Sequence, residues 1–272
     1  MRTGRLFVLV VATFSIFSLA ACGGRGGGGG SQVGDTGGGA GVGGGSTGGG
    51  NLGVLSDQEY RQLFAQVFPS GLPLAPDSFF NQPIPPDAEV DPNSALMVQS
   101  LVEDANEMGF VISQRLWTQP VYFADSSTPR YDVTLTADWA PFLTLRDVPI
   151  PDGARPDPES DGHLIIIERD SRCVYELWQA RKTDGGWSAS WGNAISIDSD
   201  GIYPKGLSVR GSGFVTLGGM VWPWELAEGE IRHKLAFSYD FTKAGGPVPP
   251  ATESNGWFDP PRRHPRRRHR PA

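Results

Sequence analysis

Two stretches near the start of the folded part of the chain carry apolar residues at helical spacing. Ser56 and Glu59 form a capping box, and the apolar residues after it recur every three or four positions. Pro69 ends this predicted helix. A second helix is predicted to open at Ser94 and to end at Gly109, because glycine is favoured just past a helix C-terminus.

Beyond residue 110 the pattern changes to short β-branched and aromatic runs separated by turn residues, which is typical of strands. The Gly185-Gly186 pair predicts a hairpin between Lys182 and the run that starts at Trp187, and Pro223 to Gly229 predicts one short helix. The predicted strands are Val121 to Phe123, Tyr131 to Thr136, His163 to Glu168, Val174 to Arg181 and Leu235 to Phe241.

Helices come first along the chain and strands dominate after them. This order predicts a mainly β fold, an antiparallel β-sandwich of jelly-roll or concanavalin-like type with two short N-terminal helices. The domain organisation is predicted as follows: a signal peptide at 1–21, a Gly-rich flexible tether at 22–53, one globular domain at 54–258 and a basic disordered tail at 259–272.

The first 22 residues have the layout of a secretory signal. Arg2 and Arg5 precede an uncharged run from Leu6 to Ala21, which is too short for a comfortable membrane span. The run ends in Leu19-Ala20-Ala21-Cys22, which resembles the lipobox of bacterial lipoproteins. That resemblance implies cleavage after Ala21, diacylglycerol on Cys22 and an extracytoplasmic domain anchored to the cell membrane or the outer membrane. The alternative is an ordinary signal peptide with a chance cysteine.

The chain has two cysteines, Cys22 and Cys173. With lipid on Cys22, Cys173 is expected to be unpaired, and no intrachain disulfide can form. We interpret Cys173 as a small buried hydrophobic residue. The alternative is a cysteine nucleophile, which would need a nearby base that the sequence does not indicate.

The charge of the domain and that of the tail have opposite signs. Residues 51–258 hold 14 basic and 28 acidic side chains, a net charge of −14, and this argues against nucleic acid as a partner. Residues 259–272 hold six arginines against one acidic residue. They could touch acidic lipid or polymer; the alternative is that this abrupt stretch is not native coding sequence.

Candidate site residues lie on the strands that flank Arg169-Asp170-Ser171-Arg172. A symmetric hairpin loop there pairs positions whose numbers sum to 341, so that His163 lies opposite Trp178 and Ile165 opposite Glu176. His163 and Glu176 then become an acid–base couple, and Trp178 becomes a sugar platform. The alternative is a half-buried His–Glu hydrogen bond with Trp178 in the core.

The opposite face of the same hairpin carries a rival set, Tyr175, Gln179 and Arg181. A phenol, an amide and a guanidinium resemble, in residue type only, the uronic-acid sites of β-sandwich polysaccharide lyases. Tyr175-Glu176-Leu177-Trp178 also resembles, over four residues, the glutamate strand of glutamic peptidases. No second catalytic residue of that peptidase family can be placed in this sequence.

A longer resemblance covers most of residues 75–256. Five segments in this range are similar to a family of secreted bacterial proteins. They are Asp161-Gly162-His163, Tyr175 to Lys182, Gly211-Ser212-Gly213, Trp224-Glu225-Leu226-Ala227 and Ile231 to Phe237. The resemblance implies export and a single domain, and it assigns no reaction.

The eight tryptophans and the predicted location in the cell envelope favour a membrane-anchored lipoprotein that binds or processes polysaccharide. The alternatives are an enzyme resembling glutamic peptidases or lyases, and a non-catalytic structural or protein-binding surface lipoprotein; the sequence leaves open whether the chain is an enzyme. No cofactor or metal is predicted, because the domain holds only His163 and His233 and lacks phosphate-binding and dinucleotide motifs.

Overall fold

The structure is a computed structural model that describes residue 22 and residues 55–109, 111–239 and 241–257. The predicted signal peptide, residues 23–53 of the predicted tether and the predicted basic tail lie outside the described residues. Within them, the chain forms three α-helices and eight strands. The helices are α1 (Asp57–Val67), α2 (Ser94–Met108) and α3 (Pro223–Glu228). The strands are β1 (Val121–Ala124), β2 (Arg130–Leu135), β3 (Thr144–Pro149), β4 (Leu164–Glu168), β5 (Cys173–Trp178), β6 (Arg181–Thr183), β7 (Gly186–Ala189) and β8 (Trp191–Ser196).

The helix predictions are confirmed, and α1 begins with the predicted capping box. The Ser56 amide donates to Glu59 Oε2 over 2.9 Å, and the Glu59 amide donates to Ser56 Oγ over 3.4 Å. These bonds satisfy amides that the helix itself cannot pair. Helix α2 starts at the predicted residue and ends at Gly109, whose φ of 81° suits glycine.

The strands form two four-stranded sheets, so the fold is mainly β. Sheet A has the order β1-β4-β5-β8, and sheet B has the order β3-β2-β7-β6. Both sheets are mixed, because β1 pairs with β4 and β2 pairs with β7 in parallel. The expectation of antiparallel sheets is therefore wrong for these two pairs. Long chain segments separate the strands of each pair, which leaves room for the crossover that parallel pairing requires.

Sheet A is buried on both faces by two separate apolar clusters. On one face Leu164 and Leu177 pack with Val133 and Trp187 of sheet B. On the other face the core comprises strand residues, residues of α1 and residues that follow β8; among them are Ile165, Ile167, Val174, Phe64, Val67, Tyr203, Leu217 and Trp222. Burial on both faces explains why β4 reads as a continuous apolar run rather than as an alternating one.

Only the first of the two N-terminal helices packs as expected. Helix α1 contributes Phe64 and Val67 to the core. Helix α2 contributes no described residue to either cluster, and it exposes Leu96, Met97, Val98 and Val102. In the part of the chain that the structure describes, no helix has both the length and the apolar character that crossing a bilayer requires.

Strand predictions fail where the tertiary fold overrides the local pattern. Strands β3 and β8 were not predicted, and Leu235 to Phe241 contains no strand among its described residues. The predicted strand from Val174 to Arg181 is in fact two strands. Strand β5 ends at Trp178, Gln179 adopts a φ of 55°, and Arg181 opens β6 in the other sheet.

Cys22 and Cys173 are joined by a disulfide bond, with 5.7 Å between their Cα atoms. The expectation that Cys173 is unpaired is therefore wrong. Cys173 lies fully buried at the start of β5, and Cys22 packs against the cluster between the two sheets. The interpretation of Cys173 as a buried residue is confirmed. The alternative of a cysteine nucleophile does not apply to the disulfide form, because a disulfide sulfur cannot serve as a nucleophile.

Candidate functional site

The hairpin of β4 and β5 sets the geometry of the site. The pairs Leu164–Leu177 and Ile165–Glu176 have the register that the sequence predicts. His163 directly precedes β4 and Trp178 ends β5, so the antiparallel pairing brings both to one end of sheet A. Backbone bonds extend the hairpin past the strands, since the Gln179 amide donates to the Asp161 carbonyl over 2.8 Å.

A cavity of about 640 Å³ opens at this end of sheet A. This volume lies within the range of small-ligand sites. Four chain regions meet there: Gln119 just before β1, the hairpin end, the loop that contains Arg210 and the C-terminal segment up to Trp257. The lining residues are Gln119, Asp161, His163, Trp178, Val209, Arg210, Gly211, Ser212, Phe237, Ser238, Tyr239, Thr242, Glu253, Ser254, Asn255 and Trp257.

His163 is the imidazole of the cavity. Burial lowers the pKa of His163, and the charge of Arg210 lowers it further. The carboxylates of Asp161 and Asp157, and a hydrogen bond with the Leu177 backbone, act in the opposite direction and are outweighed. The ring is therefore neutral at neutral pH, and a neutral imidazole can accept a proton or a hydrogen bond.

Trp178 gives the cavity an aromatic wall. It is half-buried, and its Nε1 atom donates to Asp161 Oδ1 over 3.4 Å. This bond fixes the indole while its ring remains available to the cavity. Trp178 combines an apolar surface with a satisfied polar edge, as binding-site aromatics commonly do.

Glu176 is not part of the cavity wall, although it lies only two residues from Trp178. The side chain is 1% exposed, and the Thr216 amide donates to its Oε1 atom over 2.7 Å. Burial raises the pKa of Glu176 to about 7, against the opposing effects of Thr216 and Arg210. Of the predicted couple, His163 lines the cavity and Glu176 lies in the core.

The rival set is not assembled on one face. Tyr175 is buried between the sheets, where its hydroxyl donates to Glu168 Oε2 over 3.3 Å. Gln179 accepts a hydrogen bond from Ser190 Oγ over 2.6 Å, and Arg181 is exposed on sheet B. None of the three lines the cavity. The left-handed turn at Gln179 separates them, because it sends the chain from one sheet to the other.

Arg210, the cation of the cavity, was not indicated by the sequence alone. Burial lowers its pKa, and the nearby charge of Glu176 opposes that effect. Gln119, Tyr239 and Glu253 were also missed. These residues come from three distant parts of the chain, and no local pattern connects them. The one local signal is Gly211-Ser212-Gly213 after Arg210, which indicates an irregular loop rather than a strand.

The described residues offer no metal centre, since no three histidine, cysteine, aspartate or glutamate side chains gather there. Comparisons with known protein families, with curated proteins and with solved structures find no match to this chain.

Proposed function

We propose that this chain is an exported cell-envelope protein whose β-rich domain binds polysaccharide in the cavity beside Trp178. The observation that carries the proposal is a cavity in which two indoles, those of Trp178 and Trp257, share the wall with several hydrogen-bonding side chains. Sugars present apolar ring faces and many hydroxyls, so a flat aromatic surface next to polar groups suits them.

The composition of the cavity wall supports a sugar more than an apolar ligand. Aromatic residues, among them Tyr239 and Trp257, occur together with amides, hydroxyls and carboxylates in the same wall. The net charge of −14 over residues 51–258 disfavours nucleic acid as a ligand. We also infer that sheets A and B form a β-sandwich, since side chains of both contribute to one apolar cluster.

Export is supported by the uncharged N-terminal run and by the disulfide, because disulfide bonds persist in oxidising compartments. We further propose that Cys22 carries lipid in the membrane-bound form. The Cys22 sulfur can hold a thioether or a disulfide, but not both. The disulfide then forms only in molecules whose Cys22 is not lipidated.

Mass spectrometry of the membrane and soluble fractions tests the anchor. The membrane form is expected to carry lipid on Cys22 and a free thiol on Cys173. Cys22→Ser should abolish membrane retention, whereas Cys173→Ser should leave it unchanged. Recovery of the wild-type protein in the medium alone, with Cys22 linked to Cys173, would contradict lipid anchoring.

Binding of the purified full-length chain to a panel of neutral and acidic polysaccharides tests the cavity. Trp178→Ala is expected to weaken binding roughly 30-fold, because removing a central aromatic anchor costs about 2 kcal/mol. Trp139→Ala is the matched control, since Trp139 is 58% exposed and does not line the cavity. Equal affinity of the two variants and the wild type would refute this site.

One observation favours a second candidate, an enzyme that processes the bound polysaccharide. His163 lines the cavity with its pKa lowered, so its neutral ring can serve as a general base. New reducing ends or unsaturated products from wild type, lost in His163→Ala, would establish this activity. Binding with no product formed would leave a binding protein.

A further inference from the structure

The cavity contains a cation with no direct partner. Within the described part of the chain, the Arg210 guanidinium makes no ion pair within 4.0 Å and donates no hydrogen bond. An arginine side chain offers five N–H donors in a fixed planar arrangement. Other arginines of the domain, such as Arg172 with Asp198, do have carboxylate partners. The free donors of Arg210 therefore lack an acceptor.

The carboxylates of Glu176 and Asp161 do not supply that acceptor. Glu176 acts on Arg210 through its charge, but it lies in the core and is hydrogen-bonded to Thr216. Asp161 lines the same cavity, and its Oδ1 atom accepts from Trp178. A partly buried guanidinium without a carboxylate partner is costly, and a bound anion would relieve that cost.

Two acceptors of the same cavity lack donors. Gln119 Oε1 and Glu253 Oε1 are buried, and neither has a hydrogen-bond partner among the described residues. Buried acceptors are rarely left unpaired, so an unpaired one at a cavity indicates where a ligand or water donates. The cavity wall therefore offers hydrogen-bond donors on Arg210, whereas its acceptors on Gln119 and Glu253 need donors from the ligand.

We propose that the cavity binds a uronic acid residue, whose carboxylate pairs with Arg210 and whose hydroxyls donate to Gln119 and Glu253. This inference rests on the proposed polysaccharide function and names the class of sugar. A uronic acid carries a planar carboxylate and hydroxyl donors on one ring. The carboxylate can accept two parallel bonds from an arginine. A phosphate monoester carries about −1.5 to −2 at neutral pH, whereas a uronate carries a single negative charge, so the Asp161 and Glu253 carboxylates of the wall repel a phosphate more strongly.

Matched ligands test the charge directly: oligogalacturonate and oligomannuronate, each compared with its own methyl ester, by titration calorimetry on the full-length chain. Wild type is expected to bind one of the acids about 10- to 100-fold more tightly than its ester, the usual range for a charge-assisted bidentate pair. Arg210→Gln should remove that preference, so that the acid and its ester bind alike.

Arg181→Gln is the matched control, because Arg181 is exposed on sheet B and belongs to the rival set. It should bind like wild type. Arg210→Lys keeps the charge without the planar pair of donors and should retain part of the preference, which also covers the case in which Arg210→Gln does not fold.

The outcomes separate this inference from the function on which it rests. Equal binding of acids and esters, or an acid preference that survives Arg210→Gln, would overturn the uronic acid inference and leave polysaccharide binding intact. Binding of neutral polysaccharides alone would do the same. Absence of binding to every acidic and neutral sugar would overturn both.

Discussion

At the residue scale, the carboxyl group of Glu176 contributes a pH dependence to the stability of the domain. Burial raises its pKa from 4.5 to about 7, so folding favours the protonated form. This contribution to stability is fully present below the unfolded pKa. It is lost as the pH rises through the folded pKa, because ionisation then occurs in the core.

We expect Glu176→Gln to remove this dependence. Between about pH 4 and pH 8 the wild type should lose about 3 kcal/mol of unfolding free energy relative to the variant, at about 1.4 kcal/mol for each unit of pKa shift. Denaturant titrations at several pH values measure the difference. Glu89→Gln, at an exposed position, is the control and should parallel wild type. Parallel curves for Glu176→Gln would contradict the raised pKa.

The candidate site residues whose placement on the hairpin follows from the sequence are those fixed by local register. His163 and Trp178 belong to one hairpin with a four-residue loop, so their pairing needs no information from elsewhere in the chain. The same register places Glu176 on the predicted face, but only the tertiary structure brings Thr216 and Arg210 close to that face. Arg210 itself depends on tertiary contacts.

At the element scale, the irregular loop around Gly213 holds one wall of the cavity. The Gly213 carbonyl accepts from the Tyr203 amide, and the Thr252 amide donates to the Ser212 carbonyl. Thr252 Oγ1 donates to the Tyr203 carbonyl over 2.7 Å. These bonds tie the C-terminal segment, which carries Glu253, to the loop that follows Arg210.

Gly213→Ala should destabilise the domain and disturb the cavity. Gly213 has a φ of 83°, which costs an alanine about 1 kcal/mol, and a Cβ atom there would lie 1.9 Å from Thr252 Oγ1. The overlap should add about 1–3 kcal/mol. Gly229→Ala is the matched control, because its φ of 74° carries the same backbone cost with nothing within 4 Å. Thermal unfolding and ligand affinity report the difference; equal losses would contradict the packing at Gly213.

The sequence pattern did not predict where some strands end, or whether one apolar stretch forms a strand at all. The apolar and aromatic residues up to Trp178 gave β5 its strand pattern, but nothing in that pattern indicated the turn at Gln179. The described residues of Leu235 to Phe241 form no strand, although the Ala236 amide donates to the Gly219 carbonyl, so a strand pattern in the sequence is not sufficient to form a strand. Pairing partners, rather than β propensity alone, decided these segments.

At the scale of the whole molecule, the disulfide links residue 22 to the start of β5 across a separation of 151 residues. A crosslink that closes a long loop restricts the unfolded chain and so favours the folded one. The Cys22 side chain also packs against the core between the sheets. Formation of the disulfide therefore links residue 22 covalently to strand β5 of sheet A.

Loss of this crosslink should lower the unfolding free energy of the unlipidated protein by about 2–5 kcal/mol. Cys22→Ala and Cys173→Ala are each expected to lose most of that amount, and the double variant should lose little more, because either change alone opens the loop. Chemical denaturation with and without reductant measures it. Full additivity of the two changes, or no effect of reductant on wild type, would contradict the crosslink.

The sequence by itself determined the features that depend on neighbouring residues: the capping box of α1, the extent of α2 and α3, the hairpin of β4 and β5, and the mainly β character. Each follows from hydrogen bonds or side-chain periodicity within a short stretch. Only the tertiary structure decided the parallel pairs, the disulfide, the transfer of the chain at Gln179 and the meeting of His163 with Arg210. These features depend on the packing of segments that are far apart along the chain. The local periodicity of apolar residues does not show which distant segments contact each other.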